Sequence, residues 1–270
     1  MERFLFRLSR SLYADRFILK GAIMLGVWHV ADARSTMDID LLGKIENVEG
    51  TIRDAVREIF AISAPENGIG FDPTTIGTSL ISEDADYHGI RVAFQAGLDS
   101  ARIKIKLDIG FGDVVYPRPE RMPFPTILAL PSAELLCYSR ESVIAEKYQT
   151  MAKLGSMNSR MKDFFDIWLL SRRFDFKART LREALRLTFE KRGTDLVVLT
   201  IFTSAFALSK QVQWKAFRSR MKLDYAPEQF SDVLKQLSCF LDPLGDSEHE
   251  KNMADVKWIA PGPWRCKGEI

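Results

Sequence analysis

Two runs of strict alternation, residues 89–96 and 101–109, constrain this chain more than any other feature. In the second run Ile103, Ile105, Leu107 and Ile109 alternate with Lys104, Lys106 and Asp108. Successive side chains of a strand point to opposite faces, so each run makes a strand with one apolar and one polar face. Leu98–Asp99–Ser100 between them suits the turn of a hairpin or meander. A sheet that is apolar on one face needs a covering layer, and helical spacing supplies one. Residues 2–14 carry Phe4, Leu5, Leu8 and Leu12, and residues 47–60 carry Ile52, Val56, Ile59 and Phe60. The front half is therefore predicted to be a mixed sheet with helices on one side.

The rest of the chain reads as follows. Residues 17–30 are apolar and are expected to form a helix entered through a tight turn at Lys20–Gly21, while residues 36–42 alternate like a strand. Residues 65–78, with Asn67–Gly68 and Asp72–Pro73, are expected to be loop with at most a short strand. Pro117, Pro119, Pro123 and Pro125 break regular structure and set a boundary, giving domains 1–125 and 126–270. The second domain is predicted to be mostly helical. Its helices are expected at 134–154, with Ser132 as N-cap, and at 160–173, 176–191, 195–208, 210–220 and 227–240. The tail after Asp242 reads as irregular, pinned in part by Trp258 and Trp264. The fold class is α+β.

Size permits one large core or two smaller ones. Three widely spaced cysteines give neither a disulfide framework nor a zinc pattern, which favours a reducing, cytoplasmic setting. Charges within residues 2–16 argue against a signal peptide, and no apolar run is long enough to span a membrane. A formal charge of +2 says little about partners, because nucleic-acid binding depends on where charge sits. Arg179, Arg182 and Arg186 form one stripe on a predicted helix, either a phosphate-binding face or a solvated one.

Chemistry concentrates at Asp38 and Asp40. Two residues apart on a strand, they point the same way while Ile39 points into the packing. Asp108 on a second strand is a third carboxylate. Like charges about 4 Å apart repel by roughly 4 kcal/mol at an effective dielectric near 20, so such clusters are rarely built for stability alone. They suit divalent cations, two of which can serve the attacking and leaving oxygens of a phosphoryl displacement. Magnesium is the expected ion, with Asp38, Asp40 and Asp108 as ligands and a nucleoside triphosphate completing the shell. Gly21 and Ala22 are small enough for backbone N–H groups to approach phosphate. Lys20 either touches phosphate or is a surface lysine. Arg34 either counters the triphosphate or organises the carboxylate loop.

The combination Phe17–Ile18–Leu19–Lys20–Gly21–Ala22 with Arg34–Ser35–Thr36–Met37–Asp38–Ile39–Asp40 resembles the AbiEii/AbiGii-type toxins, abortive-infection members of the nucleotidyltransferase superfamily. An independent match lies in Ala145–Glu146–Lys147–Tyr148 followed by Asn158–Ser159–Arg160–Met161–Lys162–Asp163–Phe164–Phe165–Asp166–Ile167. The resemblance covers roughly residues 15–175. It implies a nucleotidyltransferase-like first domain in which Gly21 approaches nucleotide and Asp38 and Asp40 hold metal. It also implies that Lys147 contacts phosphate and that Asp163 or Asp166 is the acidic member of the second motif. Ala22 departs from the usual Gly or Ser. Read by itself, the second motif puts Lys162 and Asp166 on one helix face, with Arg160 or Lys147 available to partner a buried Asp166.

The expected activity is transfer of NMP from an NTP to an acceptor, with RNA, and a tRNA 3′ end in particular, implied by the resemblance. A bacterial source and a partner antitoxin are implied in the same way. Two alternatives stand beside it. One is a catalytically inactive transferase fold that binds RNA or protein, and the other is an enzyme that adenylylates or phosphorylates protein.

Overall fold

The computed structural model describes residues 1–65, 68–84, 87–196, 201–245 and 255–266. The chain divides into two compact units, Met1–Asp113 with Arg118–Tyr138, and Val114–Pro117 with Ser139–Ile270. The α+β class holds, with a mixed sheet, flanking helices and about 44% helix.

The first unit is built on seven strands: β1 (Phe17–Lys20), β2 (Asp38–Gly43), β3 (Ile69–Asp84), β4 (Tyr87–Leu98), β5 (Ala101–Phe111), β6 (Glu120–Pro123) and β7 (Glu134–Cys137). Their order across the sheet is β3-β4-β5-β2-β1-β7-β6. The β2–β5 and β1–β7 pairs are parallel and the other pairs antiparallel. One face is the core. Ile39, Leu41, Val92, Phe94, Ile105, Leu107 and Ile109 are buried on it, as the alternation requires. Helices α1 (Glu2–Ser9) and α3 (Glu49–Ala61) cover this face. Rings from Phe4, Phe60, Phe71 and Phe94 meet there, with Phe60 and Phe94 centroids 4.8 Å apart. The opposite face carries Lys104, Lys106 and Arg91 into solvent.

Three segments of the first unit differ from expectation. Residues 17–30 are not one helix: Phe17–Lys20 is a strand, followed by a 3-10 turn Gly21–Ile23 and the short helix α2 (Met24–Val27). β1 lies between β2 and β7, so Phe17, Ile18 and Leu19 are all buried and no alternation marks them as strand. Residues 65–78 are mostly strand, since β3 begins at Ile69. Its register breaks between Asp72 and Gly77, where a bulge on this edge strand accommodates Pro73. Asn67, half of the expected turn, lies outside the described residues. Residues 134–137 are strand β7, because Leu135 and Cys137 bury against its neighbours.

The second unit is helical: α4 (Arg140–Leu154), α5 (Met161–Arg173), α6 (Ala178–Lys191), α7 (Ser204–Met221) and α8 (Phe230–Gly245). The N-cap of α4 is Ser139, not Ser132; its hydroxyl accepts from the Ser142 N–H at 3.1 Å. α5 is buried along its length from Asp163 to Ser171, as befits a central helix. The two helices expected at 195–208 and 210–220 are one, starting at Ser204 and capped by Thr203; residues 197–200 lie outside the described ones. A small sheet of β8 (Phe176–Lys177), β9 (Lys257–Trp258) and β10 (Trp264–Arg265) ties in the tail. Trp258 donates its indole N–H to the Ser171 carbonyl at 2.5 Å, and Trp264 donates to that of Phe240 at 3.0 Å. Among the described residues no helix is long and apolar enough to cross a membrane.

Phe94 sits at the centre of the aromatic cluster. Phe94→Ala is expected to destabilise the first unit by about 3–5 kcal/mol, read as a lower urea midpoint for that unit.

Candidate active site

On the sheet face of the first unit opposite Ile39 and Leu41, strand register assembles a row of four charged side chains. Lys20 on β1 pairs with Asp40 on β2, Asp40 with Asp108 on β5, and Asp108 with Arg91 on β4. Partners in register project from the same face, so the row reads cation, carboxylate, carboxylate, cation. Asp38 lies one pleat away on the same face, in register with Lys106. Ile39 and Leu41 between these residues anchor β2 from the buried side. Carboxylates roughly 5 Å apart at an effective dielectric near 20 repel by about 3 kcal/mol, so the row depends on its flanking cations.

Each flanking cation is engaged. The Lys20 ammonium lies 2.8 Å from the Asp113 carboxylate and 5.2 Å from the Tyr138 ring centre. Asp113 is almost fully buried, which makes Lys20 part of a built ion pair rather than a surface lysine. Arg91 grips Asp108 with both arms of its fork, Nε to Oδ1 at 2.7 Å and Nη2 to Oδ2 at 2.6 Å. That hydrogen bonding raises the Arg91 guanidinium above its ordinary pKa against partial burial, and the charges of Asp108, Asp38 and Asp40 add to it. Arg34 is half-buried in the loop before β2, and Ala22 is buried.

Gly21 closes one end of the row. Its φ is +74°, and a Cβ there would stand 2.0 Å from Asp40 Oδ2 and 2.7 Å from its Cγ. Both backbone shape and proximity to the carboxylate therefore demand glycine.

The second unit holds a separate cluster. From α4, the Lys147 ammonium reaches Asp163 Oδ1 at 2.7 Å and Asp166 Oδ2 at 2.9 Å. Arg160 donates from its guanidinium to Asp163 Oδ2 at 2.7 Å, and its backbone N–H donates to Asn158 Oδ1 at 2.8 Å. Both carboxylates are buried, with side chains 2% and 1% exposed, and the four charges cancel. Burial alone would raise the Asp163 carboxyl, but Lys147 and Arg160 outweigh it and hold the group down to about 2. Asp166 is buried against Lys147, whereas Lys162, expected on the same helix face, is exposed. The arginine stripe on α6 is not bare, since Arg186 bonds Glu183 and Glu190 at 2.8 Å each.

The family model for the "Nucleotidyl transferase AbiEii toxin, Type IV TA system" matches residues 3–236. The chain belongs to the AbiEii family. Among solved structures, JHP933 from Helicobacter pylori is similar over 93% of this chain and 92% of its own, with TM-score 0.51 and 15% identity, a likeness of fold. A putative nucleotidyltransferase from H. pylori covers 89% of this chain and 90% of its own, with TM-score 0.46 and 14% identity. No curated protein matches the chain in sequence.

An AbiEii nucleotidyltransferase implies a divalent cation, and the donor chemistry of this sheet face fits one. Asp38 and Asp40 offer hard oxygens on one face, with Asp40 set close against the backbone of Gly21. Asp108 in its present pose has both oxygens bonded to Arg91. Among the described residues no three His, Cys, Asp or Glu side chains converge as a ready cage. Two carboxylates supplemented by phosphate oxygens therefore describe the fit.

Gly21→Ala is expected to cost at least about 1–3 kcal/mol from backbone strain and to displace the Asp40 carboxylate. Gly26→Ala, where an added Cβ meets nothing within 4 Å, is the control; urea midpoints and a crystal structure of each variant read the difference. Asp163 makes a pH prediction. Its folded pKa lies below the ordinary 3.8, so its stabilisation is complete above about pH 4 and lost as pH falls towards about 2. Asp163→Asn is expected to lower stability at neutral pH by about 2 kcal/mol or more and to flatten that acid limb in pH-dependent unfolding.

Proposed function

We propose that this chain is a metal-dependent nucleotidyltransferase toxin that transfers NMP from an NTP to an RNA hydroxyl, the tRNA 3′ end being the leading acceptor. The observation that carries this reading is the grouping of Asp38, Asp40 and Asp108 on one sheet face, with Asp40 packed against the glycine turn at Gly21. Membership of the AbiEii family supports the same reading.

In this mechanism Asp38 and Asp40 would hold magnesium, which when bound would supply charge neutralisation for the triphosphate and its leaving pyrophosphate. The turn at Gly21–Ala22 receives the phosphates without a side chain intervening. An acceptor hydroxyl oxygen bonds to the α-phosphorus while the bond to the β-phosphate's bridging oxygen breaks. Pyrophosphate leaves with that electron pair, and the hydroxyl proton passes to solvent through Asp108. Lys147 is already balanced by two buried carboxylates. That favours a part in fixing α5 and Arg160 over direct neutralisation of phosphate. Arg179, exposed at the start of α6, is the member of the stripe proposed to meet an RNA backbone. Family membership makes a cognate antitoxin the expected protein partner.

Incubation with each labelled NTP, magnesium and total RNA or cell extract tests the reading. Label is expected in RNA, and Asp38→Ala or Asp40→Ala should lower incorporation by roughly a hundredfold or more while circular dichroism stays native. Label in protein instead would transfer the assignment to a protein-modifying enzyme. Metal-dependent nucleotide binding without turnover would mark a non-catalytic binding module.

A further inference from the structure

We propose that Arg91 is a gate on Asp108: it occupies both oxygens of this carboxylate until a bound triphosphate draws the guanidinium away, and Asp108 then joins Asp38 and Asp40 on the divalent cation. The inference rests on the carboxylate-site reading above and assigns a positioning role to a residue outside both family motifs.

Three observations carry it. First, the geometry is a two-point grip, with donor–acceptor distances of 2.7 and 2.6 Å. A guanidinium fork matched to a carboxylate leaves neither oxygen with its best lone pair for a metal, so gripping and ligation compete. Second, register places Asp108 beside Asp40 on the same sheet face, where it would serve as third ligand once released. Third, the Arg91 side chain is 44% exposed and its strand neighbour Asp108 22% exposed. A pair in this setting is reached by water, in contrast to the buried Lys147 cluster, so an anion of higher charge can compete for the fork. A triphosphate is such an anion. It offers several times the charge of one carboxylate and paired oxygens that the arginine fork recognises in the same way.

Linkage then follows. If nucleotide releases Asp108 and the released carboxylate tightens the cation, each ligand must strengthen binding of the other by the same factor. The gate disfavours cation capture in the absence of nucleotide and lets both arrive together.

The test measures Mn²⁺ binding to the full chain without nucleotide, by the electron paramagnetic resonance signal of the free ion. Arg91→Met, which keeps the stem and removes the fork, is expected to tighten binding about tenfold, within the range of ordinary coupling energies. Arg91→Lys keeps the charge but cannot bridge both oxygens, and it should also tighten binding. Asp108→Asn should change affinity less than about twofold in the native background yet abolish the gain in the Arg91→Met background. Equal effects of Asp108→Asn in the two backgrounds would mean that Arg91 acts only through space, and the gate would be overturned. Unchanged affinity in Arg91→Met would overturn it as well. Asp38→Asn separates the gate from the site it serves. Loss of Mn²⁺ binding there with no gain in Arg91→Met refutes the gate alone, while full retention refutes the carboxylate-site reading. Inorganic triphosphate in the presence of EDTA tests the other half. Arg91→Met should bind it about fivefold more weakly, and equal binding would show that the triphosphate does not draw Arg91.

Discussion

Two carboxylates standing side by side on parallel strands set the terms for the rest of the first unit. Asp40 and Asp108 are in register, so their Cβ atoms stand side by side on one face whichever rotamer each side chain takes. Their repulsion has to be balanced locally, and the sheet does this by giving the strand on each side a cation. Lys20 is held from behind by a buried carboxylate, Asp113, and so is a permanent part of the frame. Arg91 is held by Asp108 itself, in a half-exposed pair. The two ends of one charge row therefore differ in kind: one ion pair is buried and the other is half-exposed. That asymmetry follows from burial alone and precedes any assumption about ligands.

The second unit solves the opposite problem. Lys147, Arg160, Asp163 and Asp166 bring two charges of each sign together where water is largely excluded. A buried arrangement of this kind adds little net stability compared with apolar packing, yet removing one member leaves an uncompensated charge. Its worth lies in geometry. It fixes the start of α5 against α4 and holds Arg160 in one direction through both its backbone N–H and its guanidinium. Charges that look alike in the sequence thus serve differently, and burial decides which.

Much of this is legible in the residues and some is not, for identifiable reasons. Alternation reveals β4 and β5 because one face of each is wet; β1 is wet on neither, and its apolar run looks the same as a buried helix. β3 is hidden by glycines and Pro73, which a bulged edge strand tolerates. β7 is obscured by Ser132, a cap-type residue, although the helix starts eight residues later at Arg140 behind Ser139. Asp38, Asp40, Gly21 and the Lys147 motif are readable from pattern and resemblance. Arg91 does not stand out from its neighbours, although a signal exists: a hairpin that pairs Leu98 with Ala101 places Arg91 opposite Asp108. Asp113 lies beyond the end of its strand, and nothing in its neighbours announces a partner for Lys20.

The spacing of the first motif also has a structural cause. Lys20 ends β1 and pairs with Asp40, so the next residue must turn immediately beside that carboxylate. A side chain there would strike Asp40, and the backbone must take a positive φ to leave the strand. Both demands fall on Gly21. The chain then spends α2 and the loop with Arg34 before returning as β2, antiparallel to the strand it left. Residues far apart in sequence are brought together by one strand pairing, and the pairing is secured by Ile18, Leu19, Leu41 and Leu42, all buried. The polar geometry of the row is thus inherited from apolar packing on both faces of β1 and β2, with Leu19 and Leu41 on the reverse side and Ile18 and Leu42 on the row's own face.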